Sequence, residues 1–305
     1  VNAFEFARGL QPLLEGLDVW TFSNHFKKGT FRSLHRIKWQ ADREPIARDS
    51  RGIDFDLLSI LPPDTALSDG NHDIDLSEFW RWLETNLPIQ RRRSEIDLSR
   101  HLGGELTFVL IASNFKSAIA IPSIVLAMPI TNQAGLEADL LKLARERIMI
   151  SGKQLQFPEL QDYRDVKFQP LQLPLGFLFA LNGGCAIVKN YWIVSTTIPG
   201  LKSVIDASTG IVPTLAHTKF PAPFNQPKSR HVLIRPSLFI PELKRLVPLV
   251  GLIVPPSGGT LYPRLTQNVI DNIFPIEMLG PVSAVVDFDR EGVNVEVQVV
   301  VSENQ

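Results

Sequence analysis

Five carboxylate or amide side chains in the segment LSDGNHDIDLSEFW, residues 67–80, have the types and approximate spacing that calcium binding requires. If Glu78 occupies the last position of a twelve-residue EF-hand loop, three candidates fall at the third, fifth and seventh positions: Asp69, Asn71 and Asp73. Leu67 at the first position cannot coordinate a cation, and His72 replaces the glycine that the sharp turn needs. One interpretation is therefore a weak calcium site with five candidate ligands: Asp69, Asn71, Asp73, Asp75 and Glu78.

The second interpretation of this segment is a polar turn followed by a capped helix. Asp75 would accept free N–H groups of the first turn, and Glu78 follows three residues later, as in a capping box. The apolar residues of 79–83 would then face the core. Pro62 and Pro63 also interrupt the helix that would have to enter a calcium loop. We favour the capped helix, and the sequence predicts no bound metal and no cofactor.

The other residue types that support catalysis form no recognised motif in this sequence. The six histidines include no HExxH pattern, and there is no GxSxG or GxxxxGK[ST] motif. Cys185 opens an apolar strand, which favours a buried structural thiol over a nucleophile. The arginines at 91–93 precede Glu95 and Asp97, as in a solvated segment. We expect no enzyme; the alternative is a hydrolase of unrecognised type, in which His, Asp and Ser from distant segments meet in a cleft.

The composition is that of a globular protein with a nearly neutral surface. Of 305 residues, 44% are hydrophobic and 21% charged, and 31 Lys and Arg balance 32 Asp and Glu to a formal charge of −1. Such a balance gives no long-range attraction to nucleic acid. No stretch reaches the roughly 20 apolar residues of a transmembrane helix. Because the chain begins at Val1 and not at methionine, we expect that an upstream signal peptide or anchor has been removed.

Short apolar runs predict more strands than helices. Runs rich in β-branched and aromatic residues are typical of strands, and they lie at 104–112, 123–130, 176–181, 185–188 and 191–197. Residues 189–190 have the length of a tight hairpin turn between the last two. Two helices are indicated, one over 131–148 with Thr131 or Asn132 as its cap, and one over 198–208 with Pro199 in its first turn.

The two ends of the chain resemble each other. Segments that start at Pro12 and Pro275 align without a gap, so that Val19 coincides with Val282 and both turns contain a glycine. Each segment predicts the end of a helix followed by a β-hairpin. We therefore expect an α+β fold, with helices packed on one face of antiparallel sheets and an internal helix-hairpin repeat.

Two polar or proline-rich stretches, 40–52 and 213–230, divide the chain into three expected pieces. These are an N-terminal helix-hairpin piece over 1–50, a central α+β domain over 51–215 and a C-terminal helix-hairpin domain over 216–305.

The order of motifs in the central part resembles an uncharacterised bacterial family, domain of unknown function thirty-three fifty-two. LLSILPPDTAL (57–67), LGGELTFVL (102–110), LAMPITNQAGLEADLLKL (126–143), DYRDVKF (162–168) and GGCAIVKNYWIVSTTIPGLKSVID (183–206) carry the resemblance, which covers roughly residues 55–210. The resemblance implies an α+β protein that is exported, periplasmic or associated with a bacterial envelope. It implies no catalytic residues.

One apolar stretch, SLFIPELKRLVPLVGLIVPPSGGTLYPRL over 237–265, is a candidate surface for a partner or ligand. Its candidate contact residues are Phe239, Leu246, Leu249, Leu252, Ile253 and Tyr262. The expected function is that of a non-catalytic protein-binding or scaffolding component of a bacterial cell envelope. The alternative to a protein partner is an apolar ligand or lipid held between sheet and helices.

Overall fold

The computed structural model describes residues 17–27, 29–39, 55–72, 76–77, 89–91, 96–112, 123–146, 148–150, 152–174, 180–217, 230–242, 244, 279–288 and 292–301. Fifteen strands lie within these residues: β1 (Leu17–Lys27), β2 (Thr30–Trp39), β3 (Thr65–His72), β4 (Ile89–Arg91), β5 (Glu105–Ile111), β6 (Ser123–Pro129), β7 (Ile148–Ile150), β8 (Lys153–Gln154), β9 (Gln161–Tyr163), β10 (Val166–Pro174), β11 (Ala180–Val188), β12 (Tyr191–Ser195), β13 (Arg230–Ile234), β14 (Leu279–Phe288) and β15 (Gly292–Val301).

Both predicted helices are confirmed, as α1 (Gln133–Leu143) and α2 (Ile198–Ser208). Each begins at a side chain that accepts a free N–H group: Asn132 Oδ1 from Gly135 at 3.0 Å, and Thr197 Oγ1 from Gly200 at 3.1 Å. Residues 236–242 are also helical, and short 3-10 helices cover Phe55–Ser59, Leu98–His101 and Leu215–His217. Among the described helices, none combines the length and apolar character that crossing a membrane requires.

Twelve strands form one antiparallel sheet in the order β1-β2-β15-β14-β13-β3-β5-β6-β12-β11-β10-β9, and β4, β7 and β8 form a small second sheet. Residues 189–190 join β11 to β12, which confirms the predicted hairpin. Arg164 and Asp165, with φ of 53° and 62°, form the tight turn between β9 and β10. The sheet runs across all three expected pieces of the chain, because β2 pairs with β15 and β13 pairs with β3.

The predicted α+β class with a helix-hairpin repeat is wrong, because the fold is mostly β. The predicted hairpins exist as β1-β2 and β14-β15, but they lie side by side in one large sheet. The helical parts of the expected repeat lie outside the described residues. The polar stretch from residue 67 onward, for which the sequence predicts a turn, is instead β3, hydrogen-bonded between β13 and β5.

The two helices cover opposite faces of the sheet and not one face as expected. Leu201, Val204 and Ile205 of α2 pack in one core cluster with Ile193 of β12. Leu136 of α1 packs in a second cluster with Met128, Cys185 and Trp192. Neighbouring residues of β12, Trp192 and Ile193, belong to different clusters, because successive side chains of a strand point to opposite faces. The middle of the sheet is therefore buried on both sides.

Candidate functional site

Strand β3 carries the part of the calcium candidate that the structure describes. The Asp69 carboxylate accepts hydrogen bonds from Arg230 Nε at 2.9 Å and from Nη2 at 2.7 Å. This pairing with Asp69 raises the pKa of Arg230. Asn71 lies two residues along the same strand, whereas Asp73, Asp75 and Glu78 lie outside the described residues. Within the described part of the chain, no three His, Cys, Asp or Glu side chains come close enough together to hold a metal ion.

One of the predicted partner-surface residues, Phe239, is described. Its side chain is half-buried in the helical segment 236–242, in which Pro236 and Ile240 are buried. Leu246, Leu249, Leu252, Ile253 and Tyr262 lie outside the described residues, so this candidate surface stays a prediction.

The structure brings a serine and a histidine together at the seam between β3 and β13. Ser68 Oγ lies 3.3 Å from His231 Nε2, with Thr107 and Glu105 on the same face of neighbouring β5. Ser68 is fully buried and His231 is 2% exposed. Gly70 makes room for the imidazole, because a Cβ there would lie 2.6 Å from His231 Nδ1. A buried pair of this kind can satisfy polar groups inside the sheet, whereas a hydrolase needs its nucleophile to reach substrate.

A groove of about 410 Å³ lies between α1, the segment 157–160 and the face of β10-β11-β12. Its walls are apolar: Leu140, Leu141, Phe157, Leu160, Cys185 and Trp192. Its rim carries Glu137, Asp165 and Lys167. A groove with apolar walls and a few charged groups at its mouth is suited to a ligand with an apolar body.

The groove owes its shape to α1, which polar contacts hold against the neighbouring 3-10 helix. Asp139 Oδ2 lies 3.0 Å from His101 Nε2, and its other oxygen accepts a hydrogen bond from Lys142 Nζ at 2.7 Å. The hydrogen bond from Lys142, and then that from His101, lowers the pKa of the Asp139 carboxyl. Gly135 allows the close approach, since a Cβ there would lie 2.6 Å from His101 Nδ1.

Cys185 at the groove wall is buried, as predicted. Burial raises the pKa of its thiol to about 11, and the neighbouring Trp192 side chain opposes that rise. A thiol with such a pKa is neutral near pH 7, and a neutral thiol is a poor nucleophile.

Strand β1 forms one edge of the large sheet, and it differs from the other edge. It has eleven residues, whereas the opposite edge strand β9 has three. Residues 21–27 are all exposed, with Phe22 at 65% and Phe26 at 68%. In the residues that the structure describes, no strand pairs with the outer side of β1. A long strand at the edge of a sheet is the kind of element to which a partner segment can add.

An apolar surface continues from β1 across the two hairpins. Cross-strand pairing places one row of side chains on the face of Phe26, namely Phe31, Val299 and Val282. The valines of this row are only half-buried. The opposite face is polar, and there Arg32 Nε donates a hydrogen bond to Glu296 Oε1 at 2.7 Å. We call β1, the row just named and the other half-buried valines of β14 and β15 on the same face the hairpin surface.

Sequence reasoning missed both the edge strand and the groove. One signal for the edge was present: residues 19–26 contain no Asp, Glu, Lys, Arg or Pro, the residues that usually protect an edge strand. The groove had no local signal, because its walls come from segments far apart in the chain. Comparisons of the chain with protein-family models, with curated proteins and with solved structures found no match.

Proposed function

We propose that this protein is a non-catalytic protein-binding or scaffolding component of a bacterial cell envelope, and that it binds partner chains at β1. The observation that carries the proposal is the eleven-residue edge strand with two exposed phenylalanines. The envelope location rests on the resemblance of residues 55–210 to the bacterial family named above.

The chemistry of such binding is the addition of a strand. An extended partner segment would pair with the outer side of β1 through backbone hydrogen bonds, which give affinity without a specific sequence. Phe22 and Phe26 point to one face, since they lie four residues apart in a strand, and they would bury apolar side chains of the partner. The adjoining half-buried valines of the hairpin surface extend the area that a partner can cover.

Site-specific photocrosslinking in a bacterial host tests this proposal. A photoreactive amino acid at position 22 is expected to capture a defined protein in stoichiometric yield. The matched control is position 211, because Ile211 is 55% exposed and lies outside β1. Equal capture of the same proteins at both positions, or none at position 22, would contradict binding at the edge strand.

The groove beside α1 supports a second candidate function, the binding of an apolar ligand or lipid. Its volume of about 410 Å³ falls in the range of small-molecule sites, and Trp192 in its wall provides a reporter. Titration with dodecanoate should change tryptophan fluorescence saturably, and Leu141→Asp should weaken that binding at least tenfold, because Leu141 lines the wall. Ile211→Asp serves as the control. A change that does not saturate, or that survives Leu141→Asp, would count against this candidate.

A further inference from the structure

We propose that the groove beside α1 prefers an amphiphile with a cationic head group, an alkylammonium in its simplest form, over a fatty carboxylate of the same length. This inference rests on the second candidate function, the binding of an apolar ligand, and adds the charge of the ligand's head group. It depends on the apolar walls of the groove and on the charges around its rim.

Hydrogen bonds hold both walls of the groove in place. On one side, the contacts of Asp139 hold α1 as described above. On the other side, the backbones of Gln156 and Gln172 exchange two hydrogen bonds, at 2.8 and 3.0 Å. Gln169 Nε2 also donates to the carbonyl oxygen of Pro158, which ties the segment 157–160 to β10. Walls that are already held lose little freedom when a ligand enters, and this favours binding.

The groove leaves apolar side chains for the body of a ligand to cover. Leu141 of α1 is 60% exposed and Leu160 on the other wall is 53% exposed, although both line the groove. An apolar chain that covers these two leucines removes their surface from water, which stabilises the complex. The volume of about 410 Å³ is that of a site for one small ligand.

The rim of the groove carries more negative than positive charge. Glu137 of α1 and Asp165 of the β9-β10 turn line it, against one cation, Lys167. Lys167 lies directly opposite Asp162 in the β9-β10 pairing, so a carboxylate outside the groove already faces this ammonium group. In the part of the chain that the structure describes, Glu137 accepts a hydrogen bond from neutral Gln133 at 2.8 Å, and neither Glu137 nor Asp165 is in an ion pair with Lys or Arg.

These carboxylates select the head group. Apolar walls displace water from the mouth of the groove, so a charge there acts more strongly than it would in open solvent. An ammonium group near Glu137 and Asp165 is therefore attracted, and a carboxylate group is repelled. A contact of this kind at a partly exposed site changes affinity by about tenfold.

Two probes of equal chain length and opposite charge test the head group. In titrations followed by tryptophan fluorescence at pH 7, dodecylamine should bind about tenfold more tightly than dodecanoate, and about 0.5 M salt should narrow the difference. Equal dissociation constants, or tighter binding of dodecanoate, would overturn the cationic head group and leave the apolar-ligand candidate in place. Saturable binding of neither probe would overturn both.

Substitutions at the rim should shift the two probes in opposite directions. Glu137→Gln with Asp165→Asn removes both carboxylates at nearly unchanged size, and asparagine tolerates the φ of 62° at residue 165. This pair should abolish the preference for dodecylamine. Lys167→Gln should instead strengthen dodecylamine binding and weaken that of dodecanoate, a gain that loss of folding cannot produce. Glu296→Gln, the same change in β15, is the control and should alter neither constant.

Two further outcomes would contradict the proposal. A preference for dodecylamine that survives the double substitution, or that Lys167→Gln reduces, would place the head group away from Glu137 and Asp165. Sedimentation at the concentrations of the titration reveals a competing occupant: a dimer that Leu141→Asp dissociates would show that a second copy of the chain, and not a small amphiphile, covers the groove.

Discussion

The two halves of the large sheet have the same antiparallel pairing and different surroundings. In the helix-covered half, which runs from β3 to β9 in sheet order, Val109 and Ile193 are fully buried between the elements on either face. In the hairpin half, formed by β1, β2, β15, β14 and β13, valines such as Val297 remain half-buried. One alternating strand pattern thus forms a core where helices cover it and a partly exposed surface in the hairpin half.

The seam between the halves is the pairing of β3 with β13. Adding one methyl group there should cause the largest loss of stability. Gly70 of β3 faces the buried His231 of β13, and a Cβ there would lie 2.6 Å from His231 Nδ1 and 2.9 Å from Thr107 Oγ1. Because the imidazole is buried and cannot turn aside cheaply, Gly70→Ala should lower the free energy of unfolding by about 3 kcal/mol. Urea denaturation measures the loss.

Gly210→Ala is the control for that substitution. Gly210 has a φ of +78°, and a Cβ added there would meet none of the described atoms within 4 Å. Alanine at this position therefore costs only about 1 kcal/mol of backbone strain. Equal losses at residues 70 and 210 would mean that the seam between β3 and β13 is not tightly packed.

Matched Val→Ala substitutions compare the halves directly. Val109→Ala removes two methyl groups from a fully buried site and should cost about 2–3 kcal/mol, because a cavity remains. Val297→Ala in the hairpin half should cost about 1 kcal/mol or less, since that side chain is already half-exposed. Both values come from urea denaturation at one pH. A greater loss at Val297 would place the more tightly packed core in the hairpin half.

The thiol of Cys185 reports burial in the helix-covered half through pH. Burial raises its pKa from an ordinary value of 9.0 to about 11, so the unfolded thiol ionises at a lower pH than the folded one. Stability should therefore fall as pH rises from 9 to 11, by about 2–3 kcal/mol for this group. The variant Cys185→Ala should lack this part of the decline. Parallel curves for the two proteins between about pH 8 and 11 would show that the thiol is open to water.

The same contrast explains which features the sequence could reveal. The turn at residues 189–190 and the capped helix after Asn132 depend on neighbours in sequence, and both were predicted. Strand β3 was not, because Ser68, Asp69 and Gly70 have no apolar alternation; the strand exists because β13 and β5 supply its hydrogen bonds. Its small residues suit the site only because His231 fills the space above them.

The candidate sites follow the same rule. The calcium candidate came from local spacing, whereas the partner that the structure gives Asp69 is Arg230, 161 residues away. The absence of charges from residues 19–26 was visible in the sequence, but its meaning depends on β1 being an edge, which long-range pairing decides. The groove likewise depends on α1 and β10-β12 meeting in space. Motif spacing therefore identifies a local turn or cap and not a surface assembled from distant strands.

The smallest effect is expected for the ion pair that spans the seam. Arg230 donates two hydrogen bonds to Asp69, whereas Arg32 donates one to Glu296 within the hairpin half. Because these side chains are partly exposed, solvent screens both pairs, and double-mutant cycles should give coupling energies of about 0.5–1 kcal/mol for Asp69–Arg230 and less for Arg32–Glu296. Asp69→Asn preserves side-chain size, Arg230→Gln removes the charge and keeps part of the alkyl chain, and about 0.5 M salt should reduce the coupling. A larger coupling for Arg32–Glu296 would show that the two-bond geometry of Asp69–Arg230 adds no stability at the seam.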